Sequence, residues 1–184
     1  MRFHLRAAFF LLLAAIGLVA CSVSEDLTES ERALLLTEAD LRREPTPALA
    51  GKYQKVSRID KSRELSYVYE KEGSGLYLSN TLTVDTSAAN ALVTEGAQKT
   101  GLMIGLRVNG VVEEPIAQSV KYGDRSSLTI LKKDGRPMGN VFTAVAGKKV
   151  YVVIFSGIYF DDAAAFDSFI AGKIDAILKY DPAQ

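Results

Sequence analysis

The chain of 184 residues contains one cysteine and one histidine, and both lie near the amino terminus, at Cys21 and His4. Most enzymes that use a hydroxyl or thiol nucleophile activate it with a neighbouring histidine, and common zinc sites use cysteine and histidine. Residues 22–184 offer neither side chain. Ser-His-Asp and Cys-His catalysis are therefore excluded within residues 22–184, and a single cysteine excludes intramolecular disulfides. We expect no metal site and no cofactor.

Carboxylates are the remaining candidates for catalysis, and two adjacent pairs stand out, Asp161-Asp162 and Glu113-Glu114. In a glycosidase the two acids face each other across the sugar, about 5–10 Å apart, and neighbours in sequence seldom do so. The first pair precedes a helical pattern, where negative charge is typical of a helix cap. The second pair precedes Pro115 and indicates a solvated loop. We therefore predict that the protein has no catalytic residues and is not an enzyme.

The first 20 residues have the layout of a secretory signal. Arg2 and Arg6 form a positive segment, and an apolar run follows from residue 7 to residue 20. Fourteen helical residues span about 21 Å, which is short of the roughly 30 Å thickness of a bilayer core. A cleaved signal is therefore favoured over a permanent transmembrane helix.

The run ends in Leu18-Val19-Ala20-Cys21, which resembles the lipobox of bacterial lipoproteins. This resemblance implies cleavage between Ala20 and Cys21, a diacylglycerol thioether on Cys21 and acylation of the new amino group, with palmitate as an expected chain. The alternative is an ordinary signal that is cut elsewhere. Ser22 is not the aspartate that keeps some lipoproteins at the inner membrane, so the resemblance favours the outer membrane, facing the periplasm or the cell surface.

Length and charge describe the rest of the chain. There are 22 basic and 22 acidic side chains, so nothing indicates a nucleic-acid partner. Residues 21–32 are polar and acidic, and we expect a tether there, followed by a single domain over residues 33–181. Thr28 and Glu31 fit a capping box before a leucine-rich segment, and Thr37 could equally cap a turn.

Hydrophobic periodicity predicts helices and strands along this domain. Alternation over residues 63–85 indicates a hairpin, and Ser87 can cap a helix that continues to about Gly101. Asn109-Gly110 is a hairpin turn signal. Strands are predicted over 116–122, 126–132, 137–146 and 149–157, and an amphipathic helix over 162–179. The short loops between the last three strands require antiparallel neighbours.

This order is similar to that of the PsbP-like α/β/α sandwich, a fold also found in secreted lipoproteins. The residues that carry the likeness are Tyr122-Gly123-Asp124-Arg125-Ser126, Gly139, Lys148-Lys149-Val150-Tyr151-Val152-Val153, Phe155-Ser156-Gly157 and the terminal helix. The likeness covers residues 34–180. It implies an α+β fold with a central antiparallel sheet of about six strands flanked by helices, and a non-catalytic binding or accessory role.

We therefore expect a membrane-anchored envelope lipoprotein that binds another cell-envelope component. Tyr67, Tyr69 and Tyr77 with Arg63 form a candidate interaction surface, because tyrosine and arginine are common at interfaces, although ordinary sheet surface is the alternative. Arg107 is a further candidate for the charge.

Two other functions stay open at this point. A carrier of a small apolar ligand needs a cavity of at least about 300 Å³. A carboxylate-dependent glycan hydrolase needs two inward-facing acids. No heptad repeat occurs, so we expect a monomer unless an edge strand pairs.

Overall fold

The computed structural model describes residues 24–25, 27–42, 53–59, 62–70, 76–116 and 121–182. The predicted signal segment, its cleavage site after Ala20 and the predicted lipid attachment site at Cys21 lie outside the described residues. Among the helices that are described, none is both long enough and apolar enough to cross a membrane.

Eight strands form one sheet in which neighbouring strands are antiparallel. The strands are β1 (Ser24–Glu25), β2 (Tyr53–Ile59), β3 (Ser62–Glu70), β4 (Tyr77–Val84), β5 (Val111–Pro115), β6 (Arg125–Lys133), β7 (Arg136–Ala146) and β8 (Lys149–Ser156). Their order across the sheet is β1-β2-β3-β4-β8-β7-β6-β5. The six longer strands agree with the predicted number, although β2 was not among the predicted strands, and the short strands β1 and β5 lie at the two edges.

Helices cover both faces of the sheet, which confirms the predicted α+β sandwich. The helices are α1 (Glu29–Leu34), α2 (Glu38–Arg42), α3 (Ala88–Val108) and α4 (Ala163–Lys179). Residues of α1, α2 and α4 share one hydrophobic cluster with the sheet, and residues of α3 belong to two smaller clusters on the other face. We call these two sides the α4 face and the α3 face.

The central strand β8 and the helix α4 follow the sequence pattern closely. Tyr151 and Phe155 point to the α4 face, whereas Val150 and Ile154 point to the α3 face, so β8 is apolar throughout. Helix α4 buries residues at three- and four-residue spacing, namely Phe166, Ile170, Ile174 and Ile177. Asp162 caps this helix by accepting hydrogen bonds from the backbone N–H groups of Ala164 and Ala165. The predicted terminal helix is therefore confirmed.

A buried asparagine, Asn80, fastens the amino-terminal segment to the α4 face. Its Oδ1 accepts from the N–H of Leu36 at 2.9 Å, and its Nδ2 donates to the C=O of Leu36 at 3.0 Å. Tyr151 donates its hydroxyl to the same Oδ1. Since unpaired buried polar groups are costly, this side chain holds one backbone position of the segment in a fixed place.

The domain begins earlier than the predicted residue 33. Strand β1 pairs Ser24 with Ser57 of β2, and Leu27 is buried in the core. Thr28 and Glu31 form the predicted capping box, with α1 directly after Thr28. Residues 24–25 and 27–32 of the expected tether therefore belong to the fold. The acidic composition of this stretch suggested a solvated segment, but it contains the core residue Leu27 and the buried Glu31.

Helix α3 is longer than the pattern predicted. It continues about two turns beyond Gly101, because Leu102 and Leu106 are buried against the sheet in its last turns. Asn109 Nδ2 donates to the C=O of Gly105 at 2.7 Å, and Gly110 has a φ of +70°. Asn109-Gly110 therefore ends a helix instead of forming the predicted hairpin turn.

The strand predicted over residues 116–122 is also displaced. The structure has β5 at Val111–Pro115, so Glu113-Glu114 lies in an edge strand and not in the predicted loop.

Candidate functional site

The predicted aromatic surface is wrong, because the tyrosines are buried. Tyr67, Tyr69 and Tyr77 are 0%, 4% and 6% exposed. Tyr67 and Tyr69 pack in the core of the α4 face, and burial raises the pKa of Tyr77 to about 12 on the α3 face. The alternation along β3 correctly indicated which of its residues share a face of the sheet. It did not indicate that residues 27–41, which are distant in sequence, pack over that face and bury Tyr67 and Tyr69.

Arg63 takes part in a structural network and not in an open surface. Its guanidinium forms an ion pair with the buried carboxylate of Glu31, which also accepts a hydrogen bond from the hydroxyl of Tyr180 at 2.9 Å. Burial alone would raise the pKa of Glu31, but the bonds from Arg63, Thr28 and Tyr180 outweigh it and bring the pKa to about 2. The network therefore joins α1, β3 and the end of α4.

Exposed apolar side chains concentrate on α3 and β5 instead. Of the eight large hydrophobic residues that are exposed in the described part of the chain, six lie on these two elements. They are Leu92, Val93, Met103, Ile104, Val108 and Val112. Single exposed hydrophobic residues are ordinary, but a contiguous set marks an interaction surface.

The outward side of α3 explains this concentration. The 21 residues of this helix include only three charged side chains, Glu95, Lys99 and Arg107. Glu95 is buried, where it pairs with Lys99 and with Arg125 of β6. Positions 93, 97, 100, 104 and 108 point away from the sheet, because Ala91, Leu102, Gly105 and Leu106 point towards it. We call Val93, Ala97, Thr100, Ile104 and Val108 the outer stripe.

A cavity of about 250 Å³ opens beside the carboxyl-terminal half of α3, against the edge strand β5. We call it the α3–β5 cavity. Its lining residues are Met103, Leu106, Arg107, Val111, Val112 and Glu113. Burial raises the pKa of Glu113, with Lys99 and Arg107 opposing that effect. The cavity therefore combines apolar walls with one guanidinium and one carboxylate at its rim.

The two adjacent acid pairs do not meet across a cleft. Glu114 pairs with Lys132, whereas its neighbour Glu113 lines the α3–β5 cavity. Asp162 is occupied as the cap of α4. In the part of the chain that the structure describes, no three side chains of the metal-ligating types cluster as a metal site would require.

Sequence reasoning named Arg107 but missed Val112 and the outer stripe. The apolar positions 93, 104 and 108 were visible, but the predicted helix stopped near Gly101, so the last turns were not placed on its outward side. Arg107 and Glu113 line the same cavity because Asn109-Gly110 reverses the chain between them. No protein-family model matches the chain, and neither a curated protein nor a solved structure matches it.

Proposed function

We propose that the protein is a membrane-anchored envelope lipoprotein whose domain is a non-catalytic binding or accessory module for another envelope component. The α3–β5 cavity is the proposed docking site. The observation that carries this proposal is the open cavity with apolar walls, where Met103 of α3 is 37% exposed. A protein segment could place an apolar side chain in the cavity and an acidic group beside Arg107.

The sequence Leu18-Val19-Ala20-Cys21 supports the anchor, and the start of the fold adds a geometric consequence. Ser24 already belongs to the sheet, so three residue steps separate it from Cys21. Fully extended, those steps reach about 10 Å. An acylated Cys21 would therefore hold the β1 edge close to the bilayer surface. The PsbP-like resemblance remains a prediction beside this proposal.

The alternatives have weaker support in the described part of the chain. The α3–β5 cavity is smaller than the roughly 300–1,000 Å³ of most ligand pockets, so a carrier role is the second candidate. Glu113 is the single acid among its lining residues, which gives a two-carboxylate hydrolase little support at this cavity.

A comparison of two exposed apolar positions tests the docking site. Met103→Glu places a charge at the wall of the cavity, and Leu178→Glu places one on α4, at a residue that is similarly exposed (37% and 42%). We expect a stoichiometric partner in pull-downs from solubilised envelopes with the wild type and with Leu178→Glu, but not with Met103→Glu. Equal recovery with both variants would reject the cavity as the docking site.

A separate measurement tests the anchor. Mass spectrometry of the purified mature protein should find a lipidated Cys21 as the first residue. Cys21→Ser should leave the protein with its first 20 residues uncleaved by the lipoprotein pathway and without lipid. An unmodified Cys21 in the wild-type protein would reject the lipoprotein proposal and leave the docking test intact.

A further inference from the structure

We propose that the outer stripe of α3 docks a second copy of this chain, with the two α3 helices antiparallel. This inference goes beyond the proposed function and uses a different surface from the cavity. It replaces the expectation of a monomer, which rested on the lack of a heptad repeat. It rests on the proposed lipid anchor, which concentrates the copies on one bilayer and leaves no free native thiol.

The outer stripe has the character of a surface that is covered. Val93, Ile104 and Val108 are 72%, 56% and 69% exposed, although a helix that is apolar on its outward side is normally buried. From Val93 to Val108 the stripe is about 22 Å long. Along this length, α3 carries no acidic side chain on its outward side, because its one acid, Glu95, is buried.

The stripe is complementary to itself when reversed. If a twofold axis crosses α3 between Gln98 and Lys99, Val93 lies opposite Ile104 of the second copy, and Ala97 lies opposite Thr100. Small residues occupy the middle of the contact, and no atom lies within 4 Å of the position that a Cβ would take at Gly96. Larger apolar residues at both ends can then interlock while the two helix backbones approach closely.

Charge selects the antiparallel direction. Arg107 is the charged side chain on the outward side of α3, because Glu95 is buried and Lys99 pairs with it at the flank of the helix. In a parallel pair the two Arg107 residues would lie side by side. In the antiparallel pair they are about 26 Å apart along the helices, which exceeds the Debye length of roughly 8 Å at physiological salt.

The same symmetry suits two anchored chains. Helix α3 packs on Val145 and Val150 near one end and on Leu131 near the other, so it runs along the strands. The twofold axis of an antiparallel helix pair is perpendicular to both helices and lies in the plane between them. Since α3 runs along the strands, this axis runs across the strands, from β5 towards β1. Both copies then present their β1 edges on the same side, and both Cys21 residues can reach one bilayer.

The expected size of the contact sets its strength. A single helix pair of this length buries less than the roughly 800 Å² per partner of a standard stable interface. Two copies anchored in one bilayer share a thin layer, so their effective concentration is higher than in solution, which favours a weak contact. We therefore expect the dimer on membranes and monomers after dilution in detergent.

Cysteine cross-linking tests the pairing, since lipid occupies the one native cysteine. Val93→Cys and Ile104→Cys are made in the full chain, and the lipidated proteins are reconstituted in vesicles separately and as a mixture. The antiparallel pair predicts disulfide-linked dimers in the mixture, because residues 93 and 104 face each other. Each variant alone should give little dimer, because identical positions are about 16 Å apart along the helices.

Three controls make the result decisive. Leu178→Cys reports random collisions at the same density, and thermal unfolding confirms that the exposed substitutions leave the fold intact. Dimers from Val93→Cys alone would show a parallel pair and overturn the proposed arrangement. Cross-linking in the mixture no greater than with Leu178→Cys would overturn the dimer itself. Residues 93 and 104 do not line the α3–β5 cavity, so partner capture in the Met103→Glu experiment fails or succeeds independently.

Discussion

The two faces of the sheet are covered by helices of opposite character. On the α4 face, Phe166 and Ile174 are buried, and the outward positions carry charged residues such as Asp167 and Asp175. On the α3 face, the helix buries Leu102 and Leu106 but presents a second apolar side outward. Helix α4 is apolar towards the sheet and charged towards solvent, as expected of an outermost helix. Helix α3 is apolar on both sides, as expected of a helix that is packed between two partners.

Polar ties reinforce this difference. Lys173 of α4 donates its Nζ to the backbone oxygens of Ala33 and Leu35, each at 3.0 Å, and so joins α4 to the end of α1. Lys149 of β8 donates to the C=O of Ile177 at 2.9 Å, near the end of α4. Cations at helix carboxyl ends are favourable, so these lysines fix the α4 layer from two sides. The outer stripe of α3 has apolar and small side chains in place of such ties.

The largest expected effect separates the two helices directly. Phe166→Ala should lower the free energy of unfolding by roughly 3–5 kcal/mol, because it leaves a cavity in the core. Ile104→Ala should change it by less than about 0.5 kcal/mol, because this side chain is exposed in one copy. Urea denaturation of dilute protein measures both. Similar losses in both variants would mean that the outer stripe is already buried within a single chain.

Asparagines on the two faces give the next comparison. Asn80→Ala should cost roughly 2–4 kcal/mol, since the N–H and C=O of Leu36 lose their partner in the core. Asn90 lies on α3, and Asn90→Ala removes an exposed hydrogen bond to Thr86, which precedes the helix. This change should cost under about 0.5 kcal/mol. Thermal or urea unfolding distinguishes them. A stable Asn80→Ala protein would show that the amino-terminal segment is held by its leucines alone.

The buried carboxylate of the α4 face should make that face sensitive to acid. The pKa of Glu31 is lowered from 4.5 to about 2, so its ionised form stabilises the fold at neutral pH. Glu31→Gln should cost roughly 2–3 kcal/mol at pH 7, and the difference from wild type should shrink as the pH falls from about 4.5 towards 2. Urea titrations across this range measure it, with Glu114→Gln as the surface control. A difference that is constant with pH would contradict the assignment.

The smallest effect concerns the rim of the α3–β5 cavity. The raised pKa of Glu113 means that the fold disfavours the ionised carboxylate, so its charge costs stability at neutral pH. That cost is lost as the pH falls through the raised pKa. Glu113→Gln should therefore raise the Tm by roughly 1 °C at pH 7 and by less at pH 4. A lower Tm at pH 7 would indicate that Lys99 and Arg107 hold the carboxylate more strongly than burial opposes it.

Local periodicity predicts much of this fold, because β8 and α4 bury residues in regular patterns along the chain. Helix α3 shows the limit of such reasoning. Gly101 and Gly105 lower its intrinsic helix propensity, but packing against the sheet holds the helix to Val108. The edge strand β5 was missed for a related reason, since Glu113, Glu114 and Pro115 resemble a loop and are also the residues that protect an edge.

The candidate site was less predictable than the fold. Which face of β3 is covered depends on Leu35 and Leu36, which are some 30 residues away and are positioned by Asn80. The α3–β5 cavity depends on where a helix ends and how the chain reverses there. Neither property is visible in the spacing of residues along one segment.

Strand β1 has a mechanical consequence if Cys21 carries the proposed lipid. Tension on the anchor would act first on the two residues of β1, which pair with β2 alone. Separation of these two residues from β2 would lengthen the extended segment between the lipid and the domain by roughly 10 Å before the force acted on the buried Leu27. When the protein is pulled from residue 21, its force-extension trace should therefore show a small early step before the domain unfolds. Release of β1 would absorb part of the extension and so protect the rest of the domain from force at the membrane.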